Sequence, residues 1–229
     1  MRINDVGEAI SKNKRSHARK AGRRSASSSS TSGRNPIDRM GTEKLFSPNE
    51  NIFRKGQSAR HIYKVKFGCI RTYANLSDGR RVVSAFYFPR NYFGLEVRDK
   101  HIISAEAITP SMVLVIRRQA LTLRATTDIV VAKHLLAITN VELQRAQNHS
   151  LLLRNKSAHE RVANFLFELK KRNRRKEVDL LMSRQDIADH LNLKIETVSR
   201  ALTRLEKKSA ISFLTHRRIA VHIRQLWAT

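Results

Sequence analysis

Glu196, Ser199 and Arg200, within the stretch "IETVSRALTRLEKK" at 195–208, carry the most specific chemistry in this chain. They offer a carboxylate, a hydroxyl and a guanidinium at i, i+3 and i+4, so on a helix they stack on one face in adjacent turns. Thr203 and Lys207 extend that face, while Ile195, Val198, Leu202 and Leu205 lie roughly 130° away at about 100° per residue. The apolar side wants a core. The polar side matches the edges of base pairs in a major groove: an arginine can give two bonds to guanine O6 and N7, and a glutamate can accept from cytosine N4. Ser199 would aid a base or phosphate contact. The plainer alternative is a solvated face with a Glu196–Arg200 ion pair, worth only about 0.2–0.5 kcal/mol.

Charge bears on that choice. The 229 residues hold 45 Lys+Arg against 19 Asp+Glu, a formal net charge of +26. Such a balance asks for a polyanionic partner, nucleic acid first and an anionic membrane surface second. No run approaches the roughly 18 apolar residues that a membrane span needs, and "MRINDVGEAISKNKRS" lacks the apolar centre of a secretory signal. Cys69 is the single cysteine. It excludes an internal disulfide, cannot build a zinc or iron–sulfur site alone, and suits a reducing cytoplasm. In "CIRTY" it reads as a small buried strand residue. No metal and no cofactor is expected. An enzyme is disfavoured, because H-E-x-x-H, G-x-S-x-G and phosphate-cradling glycine loops are missing. Asp186 and Asp189, three apart, read as a helix cap and a solvated face rather than as a catalytic pair.

Four stretches must position the polar face. Residues 1–36, with "KNKRSHARKAGRRSASSSSTSG", are too polar to offset chain entropy and read as a disordered basic tail. Such a tail would add non-specific phosphate attraction; a cleaved presequence is the alternative. Residues 37–118 read as short antiparallel strands, with a hairpin signal at Asp78-Gly79 and further strands in "ISAEAI" and "MVLVIRR". Residues 119–153 read as one helix with no proline or glycine. Val131, Leu135, Ile138 and Glu142 step along it by four, three and four, a stripe that would pair with its copy in a homodimer or lie on its own domain.

Residues 154–229 read as helices ending in a hairpin. Val162, Phe165, Leu166 and Leu169 make one buried face. Ser183 reads as an N-cap with Asp186 three residues on. A short helix with Ile187, Ala188 and Leu191 follows, then a tight turn and the helix at 195–208. Ala188 would sit at the helix crossing, and Asn192 suits a left-handed turn position. Two such helices, the second basic and amphipathic, form a helix-turn-helix candidate. Ser183, Arg184, Gln185, Lys194, Thr197, Thr203 and Lys207 would support it or meet the DNA backbone, and "AISFL-THRR-IAVHI" closes the chain as a hairpin with Arg217 and Arg218 at its tip.

"MSRQDIADHLNLKIETVSRALTRLEKKSAI" resembles the winged helix-turn-helix of the Crp/Fnr regulators, with the E-x-x-S-R signature of the Fnr and FixK branches at Glu196, Ser199 and Arg200. "GCIRTYANLSDGRR", "SAFYFPRNYFGLE" and "SAEAI" resemble the sensor domain of FixK-like members. The resemblance covers residues 45–225 and implies an α+β chain: an N-terminal antiparallel β-roll of cyclic-nucleotide-binding type, a long dimerisation helix, and a C-terminal winged helix-turn-helix. It further implies a dimer on a two-fold symmetric double-stranded site close to TTGAT-N4-ATCAA, contact with RNA polymerase, and Arg217 and Arg218 in the wing, near phosphates.

Departures from the pattern speak to regulation. Cyclic-nucleotide-binding relatives carry G-E-x-G and then R-S-A; here the matching stretches read "NYFG" and "ISA", with Tyr92 for the acid and Ile103 for the arginine. A buried cyclic phosphate without its bidentate partner is strongly disfavoured, so no cyclic nucleotide is expected. Fnr-type sensing needs a cysteine cluster that this chain lacks. Ser209 stands where the loop into the wing often has glycine. An effector or haem held in the roll, and a basic architectural protein without sequence preference, are the competing readings.

Overall fold

Eight short strands open the computed structural model, which describes residues 35–172 and 177–226. They are β1 (Gly41–Phe46), β2 (Asn51–Phe53), β3 (His61–Phe67), β4 (Ile70–Asn75), β5 (Arg81–Tyr87), β6 (Tyr92–Phe93), β7 (Ser104–Ala107) and β8 (Ser111–Arg117). Two antiparallel four-stranded sheets result, in the orders β1-β8-β3-β6 and β2-β7-β4-β5. The apolar run before Asp78 is therefore two strands, one in each sheet. Gly68 makes the crossing: its φ is +89°, and a Cβ there would meet Ser111 and the carbonyl of Pro110. Only glycine tolerates both constraints. The hairpin expected at Asp78-Gly79 joins β4 to β5, with Asn75 opposite Arg81. Asp78 Oδ1 accepts from the Arg80 amide at 3.0 Å and so closes the turn.

Between the two sheets lie Phe53, Tyr63, Val65, Ile70, Tyr87, Phe93 and their neighbours. Rings fill this interior: the Tyr63 and Phe93 centroids are 5.1 Å apart, those of Tyr87 and Phe93 5.2 Å, and His101 stacks on Phe53 at 3.6 Å. The basic tail read over 1–36 lies outside the described residues as far as residue 34. Its last two positions belong to the fold, because Asn35 Oδ1 caps a 3-10 turn at Pro36–Met40 by accepting from the Ile37 amide.

Three helices follow: α1 (Arg118–Thr127), α2 (Ile129–Asn155) and α3 (Ala158–Arg172). The single helix expected over 119–153 is broken at Asp128. Its carboxylate caps α2 by accepting from the Val130 and Val131 amides, and a well-placed acid ends one helix and starts the next without proline or glycine. The stripe expected to pair in a homodimer or to lie on its own domain packs, within one chain, on the roll. Val131 is 1% exposed in a cluster with Ile37, Ile62 and Ile116, and Leu135 and Ile138 pack against that cluster. Glu142 accepts from the Tyr87 hydroxyl at 3.0 Å. All four residues face this chain's own roll, which offers an apolar sheet that periodicity along one helix cannot reveal. The exposed face of α2 carries Leu136, Val141, Leu143 and Leu151 instead.

The remaining elements are β9 (Glu177–Asp179), α4 (Arg184–Leu191), α5 (Ile195–Lys207), β10 (Ile211–Thr215), β11 (Arg218–Val221) and α6 (Ile223–Leu226). Residues 173–176 of the basic run after α3 are outside the described residues. The closing hairpin is joined by β9, giving a sheet in the order β10-β11-β9. Val162, Leu166, Ile187, Ala188, Val198 and Leu202 share a core with Cys69, Val83 and Phe86 from the roll. Cys69 is fully enclosed there, and burial pushes its thiol up to about 12. Its expected role as a small buried residue holds.

Candidate nucleic-acid interface

Ser183 builds the start of α4. Its hydroxyl accepts from the Asp186 amide at 3.0 Å, and Asp186 Oδ2 accepts from the Ser183 amide, also at 3.0 Å, a reciprocal cap that satisfies two backbone donors. The Ser183 hydroxyl further donates to Asp186, so this side chain is committed to the helix end. Ala188 is fully buried at the crossing of α4 and α5. Asn192 ends α4 with φ 52° and ψ 53°, the left-handed conformation that a two-helix turn requires.

On α5 the buried residues are Val198, Ala201, Leu202 and Leu205. Ile195, expected on the inner side, is exposed, because it stands at the first position of the helix, beyond the reach of α4. Glu196, Arg200, Thr203 and Lys207 are exposed, and Ser199 and Thr197 are partly so. Glu196 and Arg200 do not form the ion pair that the plainer reading required, and neither has an ion-pair partner among the described residues. Ser199 accepts from Arg184 Nη1 at 3.3 Å, and Thr203 donates to the Ser199 carbonyl at 3.2 Å. Lys194 is the N-cap of α5, and no side chain caps that end. The open amides of its first turn join Lys194 and Arg184 in favouring an anion.

The supporting residues divide. Arg184 and Lys194 stand beside the α5 face, and Lys207 closes it at the far end. Gln185 donates to Asp189 Oδ1 at 2.6 Å, which ties its amide to α4. At the hairpin tip Arg217 is exposed, whereas Arg218 donates from Nε to Asp179 at 2.8 Å and lies 3.9 Å from Glu177. Arg218 is thus held by β9, an element the pattern did not announce.

Several residues that matter here escaped the sequence. Asp189 is not a solvated residue: its Oδ2 accepts from Arg81 Nε at 2.8 Å. Asp186 Oδ1 accepts from Arg71 Nη1 and Arg81 Nη2, both at 2.7 Å, and Arg71 also reaches Glu106 at 2.6 Å. His190 stacks on His149 of α2 at 4.2 Å, with its Nδ1 3.0 Å from the Val83 carbonyl. Burial, reinforced by His149, lowers the His190 pKa to about 3, so its ring is neutral at pH 7. Arg161 gathers the carbonyls of Leu153, Lys156 and Leu191 at 2.7, 2.9 and 3.2 Å, which brackets the ends of α2 and α4. No local pattern marks these partners, since most are dozens of positions apart.

The comparisons agree with this geometry. Residues 160–227 match a family model described as a Crp-like helix-turn-helix domain, and residues 43–127 match one described as a cyclic nucleotide-binding domain. The nitrogen fixation regulation protein FixK of Azorhizobium caulinodans is 42% identical over 191 residues, 81% of this chain and 77% of that protein. FixK of Rhizobium meliloti is 37% identical over 177 residues, 77% of this chain and 81% of that protein. Among solved structures, FixK2 from Bradyrhizobium japonicum superposes with a TM-score of 0.78 at 40% identity, covering 81% of this chain and 95% of that one.

Proposed function

This chain belongs to the Crp/Fnr family of transcription regulators, and on that premise we propose that two copies bind one two-fold symmetric DNA site close to TTGAT-N4-ATCAA. Glu196 and Arg200 read base edges in the major groove, and Ser199, steadied by Arg184, adds a third contact. Lys194, Thr197, Lys207 and Arg217 meet the backbone, and Arg218 stiffens the wing. The observation that carries this reading is the α5 face itself: a carboxylate and a guanidinium, both exposed and both without an ion-pair partner among the described residues, in a chain of charge +26. Left hydrated rather than tied to each other, both groups are free to exchange water for base edges.

Dimerisation uses the outer face of α2. Leu136, Val141, Leu143 and Leu151 are each more than half exposed, and a second copy of the same helix covers such a patch most simply. Activation through contact with RNA polymerase, in the cytoplasm, is the part of this reading that the family resemblance alone implies. No helix among the described residues is long and apolar enough to cross a membrane.

The roll works without cyclic nucleotide. Tyr92 takes the place of the ribose-binding acid, and its hydroxyl donates to Asp38 at 2.7 Å while accepting from Asn35 at 3.2 Å. Lys64 closes the same group on Asp38 at 2.6 Å. One observation favours an effector in the roll as a second reading: His101 Nε2 is buried without a hydrogen-bond partner among the described residues.

Selection of bound duplexes from random DNA tests the main reading. The expected outcome is a palindrome with fixed half-site spacing. A pool without sequence preference, whose binding collapses uniformly with salt, would leave only a coating protein.

A further inference from the structure

The contact between the roll and α4 is ionic as well as apolar. Asp186 has a side chain only 4% exposed, and both its oxygens are occupied. Oδ2 closes the cap on Ser183, and Oδ1 takes one bond from each of Arg71 and Arg81. Arg81 also reaches Asp189, one turn further along α4, and Arg71 also reaches Glu106 on the neighbouring strand β7. Two guanidinium groups thus meet three carboxylates. In a chain this basic the cluster is locally acidic, so its arginines are unavailable to phosphate.

We propose that Arg71 and Arg81 are positioning residues for DNA reading, which lock α4 to the roll and hold the two reading helices of a dimer at one separation and one angle. The inference rests on the DNA-reading function proposed above. Apolar packing of Val83 and Phe86 against the α4–α5 core resists separation but allows sliding. Directed bonds from one arginine to two carboxylates a turn apart resist rotation about α4 as well. Buried ion pairs are poor devices for stability alone, since apolar replacements of similar shape do as well or better, and directionality is what they add. The lock reaches the reading face by a short path. Asp186 completes the cap that Ser183 makes on α4, Arg184 begins the helix, and Arg184 donates to Ser199 on α5. Ile187 and Ala188 share one core with Val198 and Leu202, so α4 and α5 move together.

The test compares the intact chain with Arg81→Ala, Asp189→Ala and the double variant, on the selected site and on versions with the spacer one base pair longer or shorter. Each single variant is expected to fold, to bind an isolated half-site as the parent does, and to lose roughly tenfold of the discrimination between spacers, about the size of one mismatched base pair. The double variant should lose no more than Arg81→Ala alone, because that variant already removes the Arg81–Asp189 bond along with the bond to Asp186. Arg81→Lys should recover part of the discrimination. Unchanged spacer preference in folded single variants overturns the proposal, as does an additive loss in the double. Circular dichroism and a cooperative melt establish that each variant is folded. If the parent itself does not distinguish the selected site from scrambled DNA, it is the DNA-reading function that fails, not the lock.

Discussion

In the roll, Arg71 and Arg81 lie at an internal boundary, and each meets carboxylates within 2.8 Å. On α5, Glu196, Arg200, Arg204 and Lys207 stand exposed, with no ion-pair partner among the described residues. Both regions are built from the same residue types. The difference is solvent: an enclosed guanidinium must be compensated by its own chain, whereas an exposed one stays hydrated until a polyanion replaces the water. Charges that hold the molecule together can therefore be told from charges that await a partner, by counting which are already satisfied.

The largest effect should come from breaking the satisfied set. Asp186→Ala leaves two arginines facing no carboxylate at that oxygen and removes the acid's half of the reciprocal cap on α4, while the Ser183 hydroxyl still caps the helix. A stability loss of about 3–5 kcal/mol is expected from urea unfolding, and a loss below about 1 kcal/mol would mean that water compensates the arginines. Next comes the unsatisfied set. Arg200→Ala should cost about 1–3 kcal/mol of cognate affinity per half-site and relax preference at one base position, with stability unchanged. Binding titrations at fixed salt, on cognate and scrambled duplexes, read both numbers.

The boundary between the regions is expected to titrate. His190 has a folded pKa of about 3 against an ordinary value of 6.5, so the unfolded chain binds more protons between those values. Burial lowers the His149 pKa in the same direction. Stability is complete above about pH 6.5 and falls on acidification, by at most about 1.4 kcal/mol per pH unit for each histidine. His190→Gln should flatten the urea-midpoint profile between pH 6.5 and 4.5; an identical slope would assign the dependence to other groups. The smallest effect concerns the entry to the wing. Ser209 has φ +55°, and Ser209→Gly should raise stability by up to about 1 kcal/mol, the relief of a left-handed serine less the added freedom of the unfolded glycine. A thermal melt is sufficient to see it.

Much of the helix-turn-helix was legible because its signals are local. A cap at Ser183, a small residue at 188, a left-handed position at 192 and an amphipathic helix at 195 are each decided within a few residues by backbone chemistry. The hairpins at Asp78-Gly79 and at the wing were legible for the same reason. The stripe on α2 had two readings because two faces of that helix are apolar, and only the position of the roll says which one it covers. Asp189 was misjudged because its partner, Arg81, lies on a strand more than a hundred residues earlier. β9, three residues long, was invisible until β11 offered it an edge.

By itself, then, the order of residues determined which segments coil, which extend, where each helix begins, and that one helix presents an acid, a hydroxyl and a guanidinium together. These follow from torsional preference and periodicity, which act over a turn or two. The tertiary structure alone decided which charges are neutralised, which face of α2 stays exposed, and that α4 is fastened to the roll. Those outcomes depend on desolvation at contacts between distant segments, and no short-range rule carries that information.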